Sequence, residues 1–298
     1  MSAVVVLGAL HHDVVVDAPR LPRIDETLTG SAVDYRFGGK GGNQAVAAAR
    51  MGAHVRMIGR VGRDGAGDVL LAALDRAGVD RSAVLPCDVP SGMSVAITDA
   101  LGDYGAVIVS GANLENDGAV DLPDGPAVLV IQNEVPEAVN RAFVGAARQG
   151  DRVIWNAAPA RGPLDAGIAA RTDVLIVNRV EAADLSGQAD PEAAARALRE
   201  RVRGAVVVTL GAEGAVVADG TGLRRFPALT VTPVSTHGAG DAFGGALAAR
   251  LCAGDALDEA VRFAIAAAGL FVAARIGVRG DVTPNAVRRA MAGPAASG

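Results

Sequence analysis

The sequence predicts an α/β fold in three layers, with helices on both faces of a mostly parallel central sheet and a smaller β-sheet attached to it. Three observations carry this. Short runs rich in Val and Ile alternate with stretches of helical period along the 298 residues, which is the pattern of parallel β/α units. Two regions, about 13–37 and 90–110, break the rhythm with short alternating segments such as VVVD, SVAIT and GAVIV, and with turn signals at Pro22, Asp88–Pro90 and Gly102–Gly105. Two glycine-rich turns, one beginning at Phe37 and one before Asp241, each run into an alanine-rich helix.

In chain order, strands are expected at 3–8, 55–60, 127–132, 152–156, 173–177, 205–210 and 214–218, where apolar β-branched residues cluster. Helices are expected at 43–51, 66–77, 136–149, 191–201, 241–252, 257–274 and 284–291. The whole chain, 1–298, reads as one domain, with no internal repeat or linker and only the final PAASG irregular.

Composition narrows the class. Half the residues are hydrophobic but only 3% are aromatic, so the core should be Ala, Val and Leu. A net charge of −5 with acids and bases interspersed argues against nucleic acid or an anionic membrane as the main partner. The opening MSAVVVLGALHHD has no basic segment and meets an acid at Asp13, so it reads as a buried strand and not a signal peptide. The apolar run Phe263–Ala274 is too short to span a membrane. Cys87 and Cys252 have no metal or redox spacing. A cytoplasmic location is the expectation.

The second glycine turn carries the chemistry. Gly238, Ala239 and Gly240 precede Asp241 and a helix. Small residues let a ligand approach the backbone, and the free N–H groups of a helix's first turn cradle an anion. A carboxylate in such a cradle repels an anion, unless its task is to take a proton from a hydroxyl while a phosphoryl group arrives. An Asp that merely caps the helix is the plainer alternative. The first glycine segment, FGGKGGNQAVAA, carries Lys40, Asn43 and Gln44. It is not a Walker A loop, because Gly41 follows Lys40 and Asp34 stands where the first glycine belongs. Nor do Gly238, Gly240 and Gly244 have dinucleotide-fingerprint spacing.

With these segments the chain resembles the ribokinase family of sugar and nucleoside kinases, the phosphofructokinase-B type. The resemblance runs through LGALHHD, FGGKGGNQA, QNE at 132–134, NAAPAR at 156–161, NRVE at 178–181, TLGAEG at 209–214 and GAGDAFGGAL at 238–247. It implies a ribokinase-like α/β/α domain whose small sheet is a lid over the sugar site, often paired with a second subunit, so a homodimer through the lid is expected. It implies ATP and Mg²⁺ as cofactors and transfer of the γ-phosphoryl group to a primary hydroxyl. D-ribose is the leading acceptor. A nucleoside or another sugar such as fructose is the alternative, with Tyr35 and Phe37 as candidates to hold a base. A non-catalytic sugar sensor is the remaining class.

The resemblance also assigns residues. Asp241 is the base, and Gly238, Ala239 and Gly240 form the anion turn. The sugar side takes Asp13, Asn43 and Glu134, backbone N–H groups of Gly39 and Lys40, and His11, where relatives commonly have Asn. No catalytic role is expected of the Lys40 side chain. His12 is expected to face scaffold or solvent, and His237 to line the anion loop. The nucleotide side takes Asn178, Thr209, Gly211, Gly214 and Ile265, with Glu181 near Mg²⁺ through water or, alternatively, as a capping-box acid. Many relatives place an Asp six residues before the catalytic Asp at a monovalent-cation site. Here Ser235 stands there, and Asp281 closes the late loop. Two readings stand open: K⁺ bound by Asp281 with backbone carbonyls, or Arg275 or Arg279 pairing with Asp281 and supplying the positive charge.

Overall fold

The structure is a computed structural model that describes residues 3–99, 104–118 and 122–292. Residues 102–103 of the expected lid turn and the final PAASG lie outside the described residues.

Nine strands form one sheet: β1 (Ala3–Leu7), β4 (Val55–Gly62), β5 (Asp80–Cys87), β8 (Ala127–Gln132), β9 (Arg152–Asn156), β10 (Val174–Asn178), β11 (Ala205–Thr209), β12 (Ala215–Asp219) and β13 (Gly222–Phe226). Their spatial order is β13-β12-β11-β10-β9-β8-β1-β4-β5. All neighbours are parallel except β12 and β13, which return antiparallel at one edge. The second sheet, β3-β2-β6-β7, is built from β2 (His11–Asp17), β3 (Ala32–Gly38), β6 (Met93–Thr98) and β7 (Tyr104–Val109).

Alternate residues of each central strand enter opposite cores. Val4, Val6, Met57, Val128, Val130, Ile154, Ile176 and Val207 face one side. There they meet α1 (Lys40–Arg50), α2 (Gly65–Arg76), α7 (Ala239–Cys252), α8 (Leu257–Ala273) and α9 (Pro284–Ala292). Val5, Leu7, Leu129, Ile131, Trp155, Leu175 and Val208 face the other. That side holds α3 (Glu137–Gly145), α4 (Ala166–Ala169), α5 (Arg179–Ser186) and α6 (Pro191–Arg199). Strands buried on both faces must be apolar throughout, hence VVVL, AVLVIQ and AVVVT. Each fully buried Val or Leu contributes about 1.5–3 kcal/mol.

Several boundaries differ from expectation. α1 begins at Lys40, not at 43, because Gly39, at φ 86°, turns the chain directly into the helix. α3 stops at Gly145, short of 149. β5, β13, α4 and α5 were not expected. β5 and β13 lie at the two sheet edges, and their sequences, DRSAVLPC and GLRRF, carry the charges and proline that edges tolerate.

α1 and α7 pack unusually closely. A Cβ on Gly245 would meet Ala47 Cβ and the Gln44 carbonyl oxygen, each at 2.5 Å. The small residues of both glycine-led helices thus bring the two turns side by side above the carboxyl ends of β1 and β8, where open α/β sheets hold their ligands. From β1 the chain passes through Leu10 into the lid. Asn113 fixes that junction, accepting from the Leu10 N–H and donating to its carbonyl, both at 2.9 Å.

Candidate active site

Asp241 sits in the first turn of α7, just after Gly238, which caps the helix at φ 80°. Its carboxylate is only 8% exposed. It accepts from Gln44 Nε2 at 3.0 Å and Asn43 Nδ2 at 3.2 Å. Gln44 Oε1 in turn accepts from Gln132 Nε2 at 2.8 Å, and the Gln132 carbonyl accepts from Asn140 Nδ2 at 2.6 Å. This chain of amides links α3, β8, α1 and α7. Burial raises the Asp241 carboxyl above the usual carboxylate range, opposed by Lys40, Gln44, Asn43 and His237.

A cavity of about 450 Å³ opens beside it, lined by Asp13, Asn43, His237, Gly238 and Asp241, with Tyr35 and Phe37 reaching in from the lid. Asp13 lies on β2 and accepts from Ser94 Oγ on β6 at 2.6 Å. Tyr35 stacks on His12, with ring centroids 5.6 Å apart, which gives His12 a lid-internal partner.

His11 is buried, and its Nε2 has no hydrogen-bond partner among the described residues. Burial holds the imidazole pKa below its usual value, which favours the neutral form. Glu134 follows β8 and accepts the Lys40 N–H at 2.7 Å. That corrects one expectation: the Lys40 N–H is committed to Glu134 and does not point free toward a sugar. The Lys40 side chain, of which no catalytic role was expected, exerts an electrostatic influence on the site. Its positive charge acts on Glu134, Glu181, Asp241 and His11 together. Burial raises the Glu134 carboxyl, and Lys40 pulls it back.

On the other side of Lys40, Asn178 ends β10 and caps α5. Its side chain accepts from the Glu181 N–H at 2.9 Å, while Glu181 Oε2 accepts the Asn178 N–H at 2.8 Å. The capping box weighed as an alternative for Glu181 is therefore present. The same carboxyl feels both Lys40 and Asp241, and burial raises it. Asn178 and Thr209 are paired neighbours at the carboxyl ends of β10 and β11. Gly211 opens the short 3₁₀ turn that follows and Gly214 caps its end, at φ 60° and 91°. Ile265 is placed differently: it packs within the core under the sheet, so packing alone accounts for it.

In the segment before the anion turn, Arg279 bonds to backbone carbonyls and not to Asp281. The Ser235 carbonyl accepts from Arg279 Nη2 at 2.8 Å and the His237 carbonyl from Arg279 Nη1 at 3.0 Å. Asp281 is exposed, and among the described residues no ion pair joins it to Arg275 or Arg279.

Sequence reasoning did not assign Gln44, Gln132, Asn140 or Asn113. Gln44 stood within the glycine segment, and its polar side chain among alanines of a packed helix was the available signal.

Residues 1–281 match the pfkB family carbohydrate kinase model. The chain is 33% identical over 293 residues to the ribokinase of Bacillus subtilis, covering 96% of this chain and 98% of the relative. It is 32% identical over 258 residues to a deoxyribokinase of Salmonella typhimurium, covering 82% and 84%. Among solved structures, Arabidopsis thaliana ribokinase complexed with ribose and ATP superposes with a TM-score of 0.88 at 26% identity, covering 98% of this chain and 99% of that one. The chain belongs to the pfkB family of carbohydrate kinases, ATP-dependent phosphotransferases with a ribokinase-like fold. No described helix is long and apolar enough to cross a membrane.

Proposed function

We propose that this protein transfers the γ-phosphoryl group of ATP to the primary hydroxyl of a pentose, D-ribose first, giving ribose 5-phosphate. The observation that carries this reading is the buried Asp241 carboxylate, opening onto the same cavity as Asp13 and Asn43 and standing at the helix N-terminus that begins at Gly238. Carboxylates and amides can each engage two adjacent sugar hydroxyls, which suits Asp13, Asn43 and Glu134 to the acceptor. His11, with its unpartnered Nε2, would contact one further hydroxyl.

In the step itself the acceptor oxygen forms a bond to the γ-phosphorus as the bond from that phosphorus to the ADP oxygen breaks. Asp241 takes the hydroxyl proton, and the N–H groups of Gly238, Gly240 and Asp241 would face the developing charge, the Ala239 N–H being committed to the Thr236 carbonyl. Lys40, between the acids of both half-sites, would balance the approach of the phosphates. Asn178, Thr209, Gly211 and Gly214 would border the nucleotide.

Mg²⁺ supplies charge neutralisation of the β- and γ-phosphates when bound. Among the described residues no group of three or more His, Cys, Asp or Glu converges on one point. That suits an ion carried chiefly by phosphate oxygens and water, with Glu181 as an outer partner. Closure of the lid would exclude water. The lid strands also expose Val33, Val95 and Val107 on one face of the lid sheet, an apolar patch that supports pairing of two lids in a homodimer.

An ADP-release assay across ribose, deoxyribose, fructose, adenosine and pseudouridine tests the reading. Ribose should give the highest kcat/KM. A deoxyribose preference would move the assignment to the deoxyribokinase side, an adenosine or pseudouridine preference to a nucleoside kinase, and acceptor-independent background alone would overturn it.

A further inference from the structure

The turn that leads into α7 has two electrostatic sides. Gly238 and Asp241 line the cavity, where first-turn N–H groups of the helix can cradle an anion, while the Ala239 N–H is committed to the Thr236 carbonyl at 3.2 Å. The carbonyls just before the turn, those of Ser235 and His237, both accept from the Arg279 guanidinium, and Arg279 lines the same cavity beside Gly238 and Asp241. Converging carbonyl dipoles repel one another unless a positive charge sits among them. A bound cation or a cationic side chain are the two ways to provide one.

The residues present do not fit a resident K⁺ ion. Two of the oxygens it would need already accept from Arg279, at 2.8 and 3.0 Å. The guanidinium carries its own positive charge, so a second cation at that point would be repelled. It is also fixed in place: Arg279 is 9% exposed, and its guanidinium carbon lies 4.4 Å from the Phe271 ring centroid. No acidic side chain is paired with it among the described residues. At position 235 a serine stands where a carboxylate would draw the guanidinium off the carbonyls into an ion pair. The neutral Ser235 and the buried Arg279 are thus consistent halves of one arrangement.

We propose that Arg279 is a positioning residue that supplies, from within the chain, the positive charge beside the anion cradle, and that this protein works independently of K⁺. Its catalytic arm rests on the phosphoryl-transfer reading; its binding arm does not. Arg's planar fork can donate to both carbonyls at once, which a lysine would do less well. The guanidinium therefore holds the backbone of the cradle while compensating its dipoles.

The test compares KCl with tetramethylammonium chloride at equal ionic strength, measuring initial rates with ribose and MgATP and, separately, melting temperature without substrates. The parent protein should show rates within about threefold in the two salts and the same melting temperature. Arg279→Gln should lose at least about tenfold in kcat in tetramethylammonium. The double variant Ser235→Asp with Arg279→Gln should recover activity and gain melting temperature when K⁺ is added, a response that a merely structural arginine would not create. Stimulation of the parent by K⁺ beyond about threefold, a K⁺-specific rise in its melting temperature, or parent-like turnover of Arg279→Gln in tetramethylammonium would each overturn the proposal. If the variants do not fold, the two parent measurements decide. If the parent turns over no acceptor, the phosphoryl-transfer reading fails, and the melting comparison still decides the cation claim.

Discussion

Gln44 donates its side-chain amide to the Asp241 carboxylate at 3.0 Å, joining the first glycine-led helix to the second. Its own oxygen is held by Gln132, so the amide orientation is set by the network and the N–H has one direction to point. A hydrogen bond to a buried charge is worth about 1.5–3 kcal/mol. Gln44→Leu should therefore lower kcat by about tenfold or more with little effect on the KM for ATP. Steady-state kinetics at saturating sugar would check it, and an unchanged kcat would show that Asp241 needs no such support.

Asp241→Asn should lower kcat by at least about 10²-fold, because an amide cannot take the hydroxyl proton. ATP binding, measured by calorimetry, should change little. The sign of the stability effect is also fixed. Burial raises the Asp241 carboxyl in the folded state, so the ionised form costs stability above that pKa and the cost disappears as the medium is acidified. The neutral Asn should accordingly melt no lower than the parent at neutral pH.

The pH dependence of turnover follows from the same group. Asp241 accepts a proton only when ionised, and its raised pKa means that protonation sets in at a higher pH than for an ordinary carboxylate. The acidic limb of kcat should lie above the usual carboxylate range. Lys40 is the foremost of the influences that pull this pKa down. Lys40→Met should move the limb further up, as a pH–rate profile would reveal. A limb that stays in place would remove Lys40 from the electrostatics of the base.

Much of this architecture was legible in the sequence, for physical reasons. Central strands buried on both faces are written as unbroken β-branched runs, and Asp241 and Asn43 are flanked by the glycines that position them. The edge strands were not legible, because one face and one edge of β13 are free to carry Arg224 and Arg225, which pair with Asp219, Asp258 and Glu192. The amide chain from Asn140 to Asp241 joins the neighbouring β8 and α3 to α1 and α7 across separations of 88 and 197 residues, so no local spacing encodes it. Arg279 was foreseen only as one of two alternatives. Its acceptors are backbone carbonyls, which every residue possesses, and the pairing with Asp281 expected from charge does not form.

His11 is where acceptor choice should be most sensitive. It is buried with Nε2 unpartnered, and burial favours the neutral ring, leaving a single N–H to offer. Asn would offer both a donor pair and an acceptor at one end. His11→Asn should shift the ratio of kcat/KM between ribose and its deoxy or epimeric analogues, an effect of about 1–3 kcal/mol where one hydroxyl contact changes. An identical acceptor profile would place His11 away from the sugar.

Gly245 ties the packing of the fold to the chemistry. A Cβ there would lie 2.5 Å from Ala47 Cβ and from the Gln44 carbonyl oxygen, inside any permitted contact, and the Gln44 atom is backbone that a rotamer change cannot move. Gly245→Ala must therefore push α7 away from α1. Overpacking of this kind costs about 1–3 kcal/mol, offset in part by the better helix propensity of Ala. The displacement has a second consequence, because Gln44 and Asn43 reach Asp241 across that same interface. The variant should both melt several degrees lower and lose kcat, while the KM for ATP stays near that of the parent. A loss of melting temperature without any loss of kcat would show that the interface stabilises the protein but does not position the base.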